Sequence, residues 1–82
     1  MKSDLELDAT GLVCPEPLML VRNRIREMEA GTVLHVLATD PTTKRDLDQF
    51  CRFMKHEMLD SKALGEILEF WIKKKGVSKW QA

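Results

Sequence analysis

Apolar and polar residues alternate near the amino terminus. Leu5 and Leu7 are set against Asp4, Glu6 and Asp8, the period-two pattern of a half-buried strand over residues 4–8. After Ala9-Thr10-Gly11-Leu12-Val13 the period changes. From Pro15 to about Glu29 the apolar positions Leu18, Val21, Ile25 and Met28 recur at helical spacing, and Gly31, two residues past the predicted end, suits a C-terminal cap. Residues 33–38 form a short continuous apolar run with His35 on it, a second strand. Asp40-Pro41-Thr42-Thr43 predicts a second helix start, with Asp40 as N-cap and Pro41 at the first helical position. Leu47, Phe50, Cys51, Met54 and Met58 make its expected buried stripe. Gly65-Glu66 turns a hairpin between a weak strand at about 59–64 and a stronger one at 67–74, and residues 76–82 read as a loose tail.

The order β-α-β-α-β-β predicts an α+β fold, a two-layer α/β sandwich in which two helices cover one face of a four-stranded mixed sheet. The other face then meets solvent. Leu68, Phe70 and Ile72 share one side of the last strand, and Ile67, Glu69, Trp71 and Lys73 the other. Strand 33–38 divides in the same way, Leu34 and Val36 against Val33, His35 and Leu37. Placing Phe70 in the core leaves Trp71 on the open face, an assignment that one residue of register would reverse.

Composition narrows the class. Eighty-two residues, 44% hydrophobic and 32% charged, suit one small globular domain over 1–82, structured over about 4–75. Thirteen basic side chains balance thirteen acidic ones, so no global field draws nucleic acid or an anionic membrane, and direct nucleic-acid contact is not expected. No apolar run is long enough to span a bilayer, and Asp4, Glu6 and Asp8 interrupt any signal-like segment. The expectation is a cytoplasmic monomer with two free thiols.

Candidate chemistry centres on Cys14-Pro15-Glu16-Pro17, a lone thiol at the mouth of the first helix. Pro15 at the first helical position would make Cys14 the N-cap, its sulfur facing unpaired first-turn amides that favour the ionised form. The competing reading is a small buried residue at a loop–helix junction. Proline at position 17 rules out a Cys-X-X-Cys dithiol. Cys51 falls on an apolar stripe and reads as core, although a Cys14–Cys51 disulfide stays open at this level. His35 lies within a strand, and His56 lies near a helix end that favours positive charge. Cys14, His35, Cys51 and His56 lack any zinc-ligand spacing, so no metal is expected. A cysteine–histidine pair would need the fold to bring the two together.

Met19, Arg22 and Arg26 lie away from the core stripe of the first helix, as solvated surface or as docking residues for an acidic partner. Asp40, Lys44 and Arg45 at the second helix start are further docking candidates. The two cations there oppose the helix dipole, which hints at recognition. Lys73, Lys74 and Lys75 read as protection of an edge strand. Glu16 complements the first helix's dipole, with a possible secondary part in steering partners.

Leu7-Asp8-Ala9-Thr10-Gly11-Leu12-Val13-Cys14-Pro15-Glu16-Pro17 resembles the opening motif of the TusA/SirA sulfur-carrier family, in which a strand end leads into Cys-Pro-X-Pro. The resemblance continues through residues 38–46, 50–57 and 71–75, covers about residues 4–75, and is nearer to the TusA branch. The family fold it implies is the same β-α-β-α-β-β sandwich. It implies that Cys14 takes a sulfane sulfur as a persulfide from a cysteine desulfurase and hands it to a downstream acceptor protein. In the TusA branch that relay ends in 2-thiolation of the tRNA wobble uridine. Pro15, Glu16 and Pro17 are then the supporting motif, no cofactor takes part, and the protein is a relay rather than a stand-alone enzyme. Molybdenum-cofactor maturation and sulfur oxidation are alternative destinations. The family fold also resembles an RNA-binding domain of a translation initiation factor, which keeps a nucleic-acid module as a further reading, beside a regulatory interaction module working through Trp71.

Overall fold

The computed structural model describes residues 3–76; the tail expected over 76–82 lies, from residue 77 on, outside the described residues. Six elements follow in the expected order: β1 (Leu5–Ala9), α1 (Glu16–Glu27), β2 (Val33–Ala38), α2 (Thr43–Met54), β3 (Glu57–Leu64) and β4 (Ile67–Lys73). The sheet order is β1-β2-β4-β3. β1 and β2 run parallel, while β4 lies antiparallel to both β2 and β3. The α+β sandwich with a mixed sheet therefore stands as read.

Register explains the core. Leu7, Val36, Phe70 and Ser61 are neighbours across one row, and Leu34, Ile72 and Met58 across the next. These rows face the helices. Pro17, Val21 and Ile25 are buried from α1, and Thr43, Leu47 and Cys51 from α2, each set at four-residue steps. Phe70, Ile25, Leu34, Leu47 and Ile72 are fully enclosed, each worth about 1.5–3 kcal/mol of burial.

Several boundaries depart from the sequence reading. α1 ends at Glu27, with extended Met28 as its C-cap, so Gly31 (φ +87°) lies in the turn into β2 and not at the cap. The buried stripe of α1 takes Pro17 in place of Leu18, which is only partly covered. α2 begins at Thr43, two residues later than the Pro41 start, and its N-cap is Thr42. Its stripe is shorter than expected. Phe50 is half-buried and Met54 exposed, because Lys55 turns left-handed (φ +63°) and ends the helix before Met58, which joins β3. β3 starts at Glu57, since pairing with β4 supplies ladder partners that its own sequence does not announce. A bulge between Met58 and Asp60 accommodates Leu59.

Two surface readings also change. Trp71 does lie on the sheet face away from the helices, yet it is only 5% exposed. His35 stacks on it with centroids 4.7 Å apart, and Lys62 Nζ sits 5.4 Å from the ring centroid. His35 also reaches Glu69 at 3.4 Å and Glu6 at 3.6 Å. The open face is thus sealed over its aromatic by its own charged neighbours. The lysine run does not guard an edge, because β4 is an interior strand. Instead Lys74 N–H donates to Thr32 C=O (2.9 Å) and its Nζ to Met28 C=O (2.5 Å), satisfying a carbonyl at the end of α1.

Candidate functional site

The ends of β1 and β2 lie side by side, with Ala9 opposite Ala38, so the segments that follow them start from one edge of the sheet. Gly11 takes φ +81°, a left-handed turn that suits glycine, and its N–H donates to Thr39 Oγ1 (2.9 Å). That bond ties the β1–α1 loop to the end of β2 and carries Cys14 toward the start of α2.

Asp40 organises the junction. Its Oδ1 accepts from Thr42 N–H (2.9 Å) and Thr42 Oγ1–H (2.8 Å), an Asx turn at the entry to α2. Its Oδ2 accepts Cys14 N–H at 2.6 Å across 26 residues of sequence. These donors, led by the Thr42 and Cys14 amides, hold the Asp40 carboxyl below its usual pKa. Asp40 is therefore not the α2 N-cap. It is the brace for the Cys14 backbone.

Cys14 is exposed and free, and Cys51 is buried and free, so the two form no disulfide. The environment of the Cys14 sulfur reverses the sequence expectation. Pro15 is the N-cap and Pro17 lies within the first turn of α1, so Cys14 sits one residue outside the cap. Neither proline has an N–H to offer, and Glu16 N–H already donates to Val13 C=O (2.9 Å). The helix start has few amides left for the sulfur. Cys14 Sγ–H instead donates to Asp46 Oδ2 at 3.3 Å, from the first turns of α2. That bond, then desolvation, then the Asp46 charge raise the thiol pKa above its ordinary value. The Thr42 hydroxyl acts in the opposite sense, and the Asp40 charge adds a smaller push upward. In the free protein the thiol is held as a thiol.

The other candidates divide. Lys44 pairs with Asp48 (2.7 Å) and Arg45 approaches Asp46 Oδ1 (3.7 Å), so acidic neighbours offset part of their misfit with the α2 dipole. With Pro41, Asp48, Gln49 and Arg52 they line a shallow surface hollow of about 490 Å³. Arg22 and Arg26 are exposed and border a second hollow, about 410 Å³, with Ile25, Phe50, Met54 and His56. Met19 is 47% exposed beside them on α1. His56 accepts Lys75 N–H on Nδ1 (3.0 Å), and burial, then Lys74 and Lys75, push its pKa down. This is the reverse of the cationic helix-end role. Neither histidine is the partner of the thiol. Among the described residues no group of three His, Cys, Asp or Glu side chains could hold a metal ion, and no helix is long and apolar enough to cross a membrane.

Asp46 and Thr39 are the site residues that sequence reasoning missed. Asp46 enters the sequence reading only within the 38–46 run that carries the resemblance, and nothing local ties it to a cysteine 32 positions earlier. The Asp40-Pro-Thr-Thr run was the available signal, because an Asx turn there fixes the direction in which α2 leaves.

Fold and site together define a small open-faced α+β protein that presents one accessible thiol among polar groups where two helices begin. A family model described as sulfurtransferase TusA matches residues 5–74. The sulfur carrier protein TusA of Pseudomonas entomophila is 50% identical over 72 residues, covering 88% of this chain and 90% of that protein. Its counterpart in Pseudomonas syringae pv. syringae is 47% identical over 72 residues, covering 88% and 86%. A SirA-like protein from Desulfitobacterium hafniense, of known crystal structure, shares the fold with a TM-score of 0.78 at 24% identity, over 88% of this chain and 99% of that one. The chain belongs to the sulfurtransferase TusA family of sulfur carriers.

Proposed function

We propose that Cys14 is the sulfur-carrying residue: it takes a sulfane sulfur from the persulfide of a cysteine desulfurase and relays it to an acceptor protein on the route to tRNA wobble-uridine 2-thiolation. The observation that carries this reading is the exposed Cys14 thiol, free of any disulfide and held by its backbone at the edge of the fold, while the other cysteine is buried. In the transfer the Cys14 sulfur attacks the outer sulfur of the donor persulfide. A new S–S bond forms to Cys14, the donor's S–S bond breaks, and the donor cysteine leaves as thiolate. Pro15 and Pro17 stiffen the backbone on either side of Glu16, so the sulfur is offered at one place. Met19, Arg22 and Arg26 on the exposed side of α1, with Lys44 and Arg45 on α2, offer surface for the donor and acceptor.

Incubation with a cysteine desulfurase and cysteine should add one sulfur atom, about 32 Da, to the Cys14 peptide. Cys14→Ser should abolish the adduct and Cys51→Ser should retain it. Equal loading of both variants would sink the assignment. A pull-down with the loaded protein then names the acceptor, and recovery of molybdenum-cofactor or sulfur-oxidation proteins in place of tRNA-thiolation proteins would replace the proposed destination.

A further inference from the structure

Empty and loaded forms of a sulfur carrier differ in charge. The empty form ends in a thiol that this fold keeps protonated. A persulfide ionises more readily than the thiol from which it was made, because the adjacent sulfur weakens the terminal S–H bond and withdraws electron density by induction. The thiol sulfur lies beside Asp46, and the sulfur added on loading is bonded to it. The Asp46 side chain is 16% exposed, its Oδ2 accepts Cys14 Sγ–H, and its Oδ1 lies 3.7 Å from Arg45 Nε. The charged or polar groups that bear on the sulfur are Asp46 from α2, and Asp40 and Thr42 from the β2–α2 loop. Asp40 is committed to Cys14 N–H and Thr42, which leaves Asp46 as the carboxylate that answers to the state of the sulfur.

Resting on the carrier reading above, we propose that Asp46 is a positioning residue that tells the empty carrier from the loaded one. Its carboxylate accepts the Sγ–H of the empty thiol and draws that sulfur onto α2; it repels the persulfide anion and turns the loaded sulfur outward to a partner. The overall exchange converts Cys14–SH and a donor persulfide into a Cys14 persulfide and a donor thiol. One S–S bond forms, one breaks, no net oxidation occurs, and the proton given up by Cys14 is recovered by the departing donor thiolate. Asp46 does not become part of any covalent intermediate. It sets where the sulfur points and when it is ionised.

The test compares the wild type with Asp46→Asn, Asp46→Glu and Asp48→Asn. The first readout is the pH profile of iodoacetamide alkylation, followed on the Cys14 peptide. Asp46→Asn should move the midpoint to lower pH and make alkylation near neutral pH at least about threefold faster, the larger thiolate fraction outweighing some loss of nucleophilicity. Asp46→Glu should return the midpoint toward wild type. Asp48→Asn, on the same helix but paired with Lys44, should leave it in place. Buried Cys51 should stay unlabelled throughout, which certifies that each variant is folded. The second readout loads each protein with glutathione persulfide and follows loss of the added sulfur to a thiol acceptor; Asp46→Asn should retain it longer. An unchanged alkylation midpoint in Asp46→Asn, or equal retention of sulfur, overturns the proposal. Failure of wild-type Cys14 to load at all overturns the carrier reading and the loaded half of this proposal. The alkylation midpoint still decides the contact between Asp46 and the thiol.

Discussion

Asp40 and Thr43 stand three residues apart at the start of α2 and have opposite fates. Asp40 is saturated with donors, from Thr42 and Cys14. Thr43 is buried at 2% exposure and its hydroxyl finds no partner among the described residues. A buried hydroxyl without a hydrogen bond costs about 1–3 kcal/mol, and valine has nearly the same shape. Thr43→Val should therefore raise stability by about 1 kcal/mol, read as a higher urea midpoint at unchanged slope. A lower midpoint would mean that the hydroxyl has work the geometry does not display. Cys14 teaches the same lesson. Its type and place at a helix mouth are legible in the sequence, but its protonation depends on Asp46, and only packing makes the two neighbours.

The elements were legible where the period was strong. β2 falls at the expected residues 33–38, and α1 and β4 differ from expectation only at their ends. Misreadings gather at helix termini, where a proline can serve several positions. Cys-Pro-Glu-Pro allowed Pro15 to be the first helical residue, yet the helix admits Pro17 instead and leaves Pro15 as the cap. The end of α2 was hidden for a different reason: Lys55 adopts the left-handed conformation that sequence rules reserve for Gly or Asn. A non-glycine residue there costs about 1–2 kcal/mol. Lys55→Gly should stabilise the protein by roughly 0.5–1 kcal/mol, net of the extra backbone freedom of glycine in the unfolded chain. Thermal unfolding at pH 7 measures it, and a fall in Tm would show that the lysine side chain contributes more at the helix end than its backbone costs.

The whole molecule joins its far ends through β4 and the residues after it. Lys74 and Lys75 bond to Thr32, Met28 and His56, so the carboxyl-terminal side of the sheet closes the turn after α1 and the junction after α2. This closure carries a pH signature. His56 is neutral when it accepts Lys75 N–H, and its folded pKa lies below the ordinary 6.5. Between that lowered value and about 6.5 the unfolded chain binds more protons than the folded one. Stability from this group is complete above pH 6.5 and is lost as pH falls toward the folded pKa. Cys51 acts at the other end: burial pushes its thiol from 9.0 to about 11. Between those values the unfolded chain is the more deprotonated, so stability declines as pH rises through that window. Urea midpoints across pH should show both limbs, with His56→Gln removing the acidic step below 6.5 and Cys51→Ala the alkaline one. A His56→Gln profile that superposes on the wild type would dismiss the His56 contribution.

Local pattern was enough for the element order, the split of Leu34, Val36, Phe70 and Ile72 from the opposite face, the core place of Cys51 and the singling out of Cys14, because side-chain period and proline chemistry act within a few residues. Partnerships across tens of residues lay beyond it. Trp71 was assigned to the right face, yet its burial comes from His35 on β2 and Lys62 on β3. Asp40 became a brace and Asp46 the thiol's partner because parallel pairing of β1 with β2 brings the Cys14 loop to the mouth of α2. A thiol's identity is written in the chain, but its charge is set by the groups that strand pairing brings within a few ångströms.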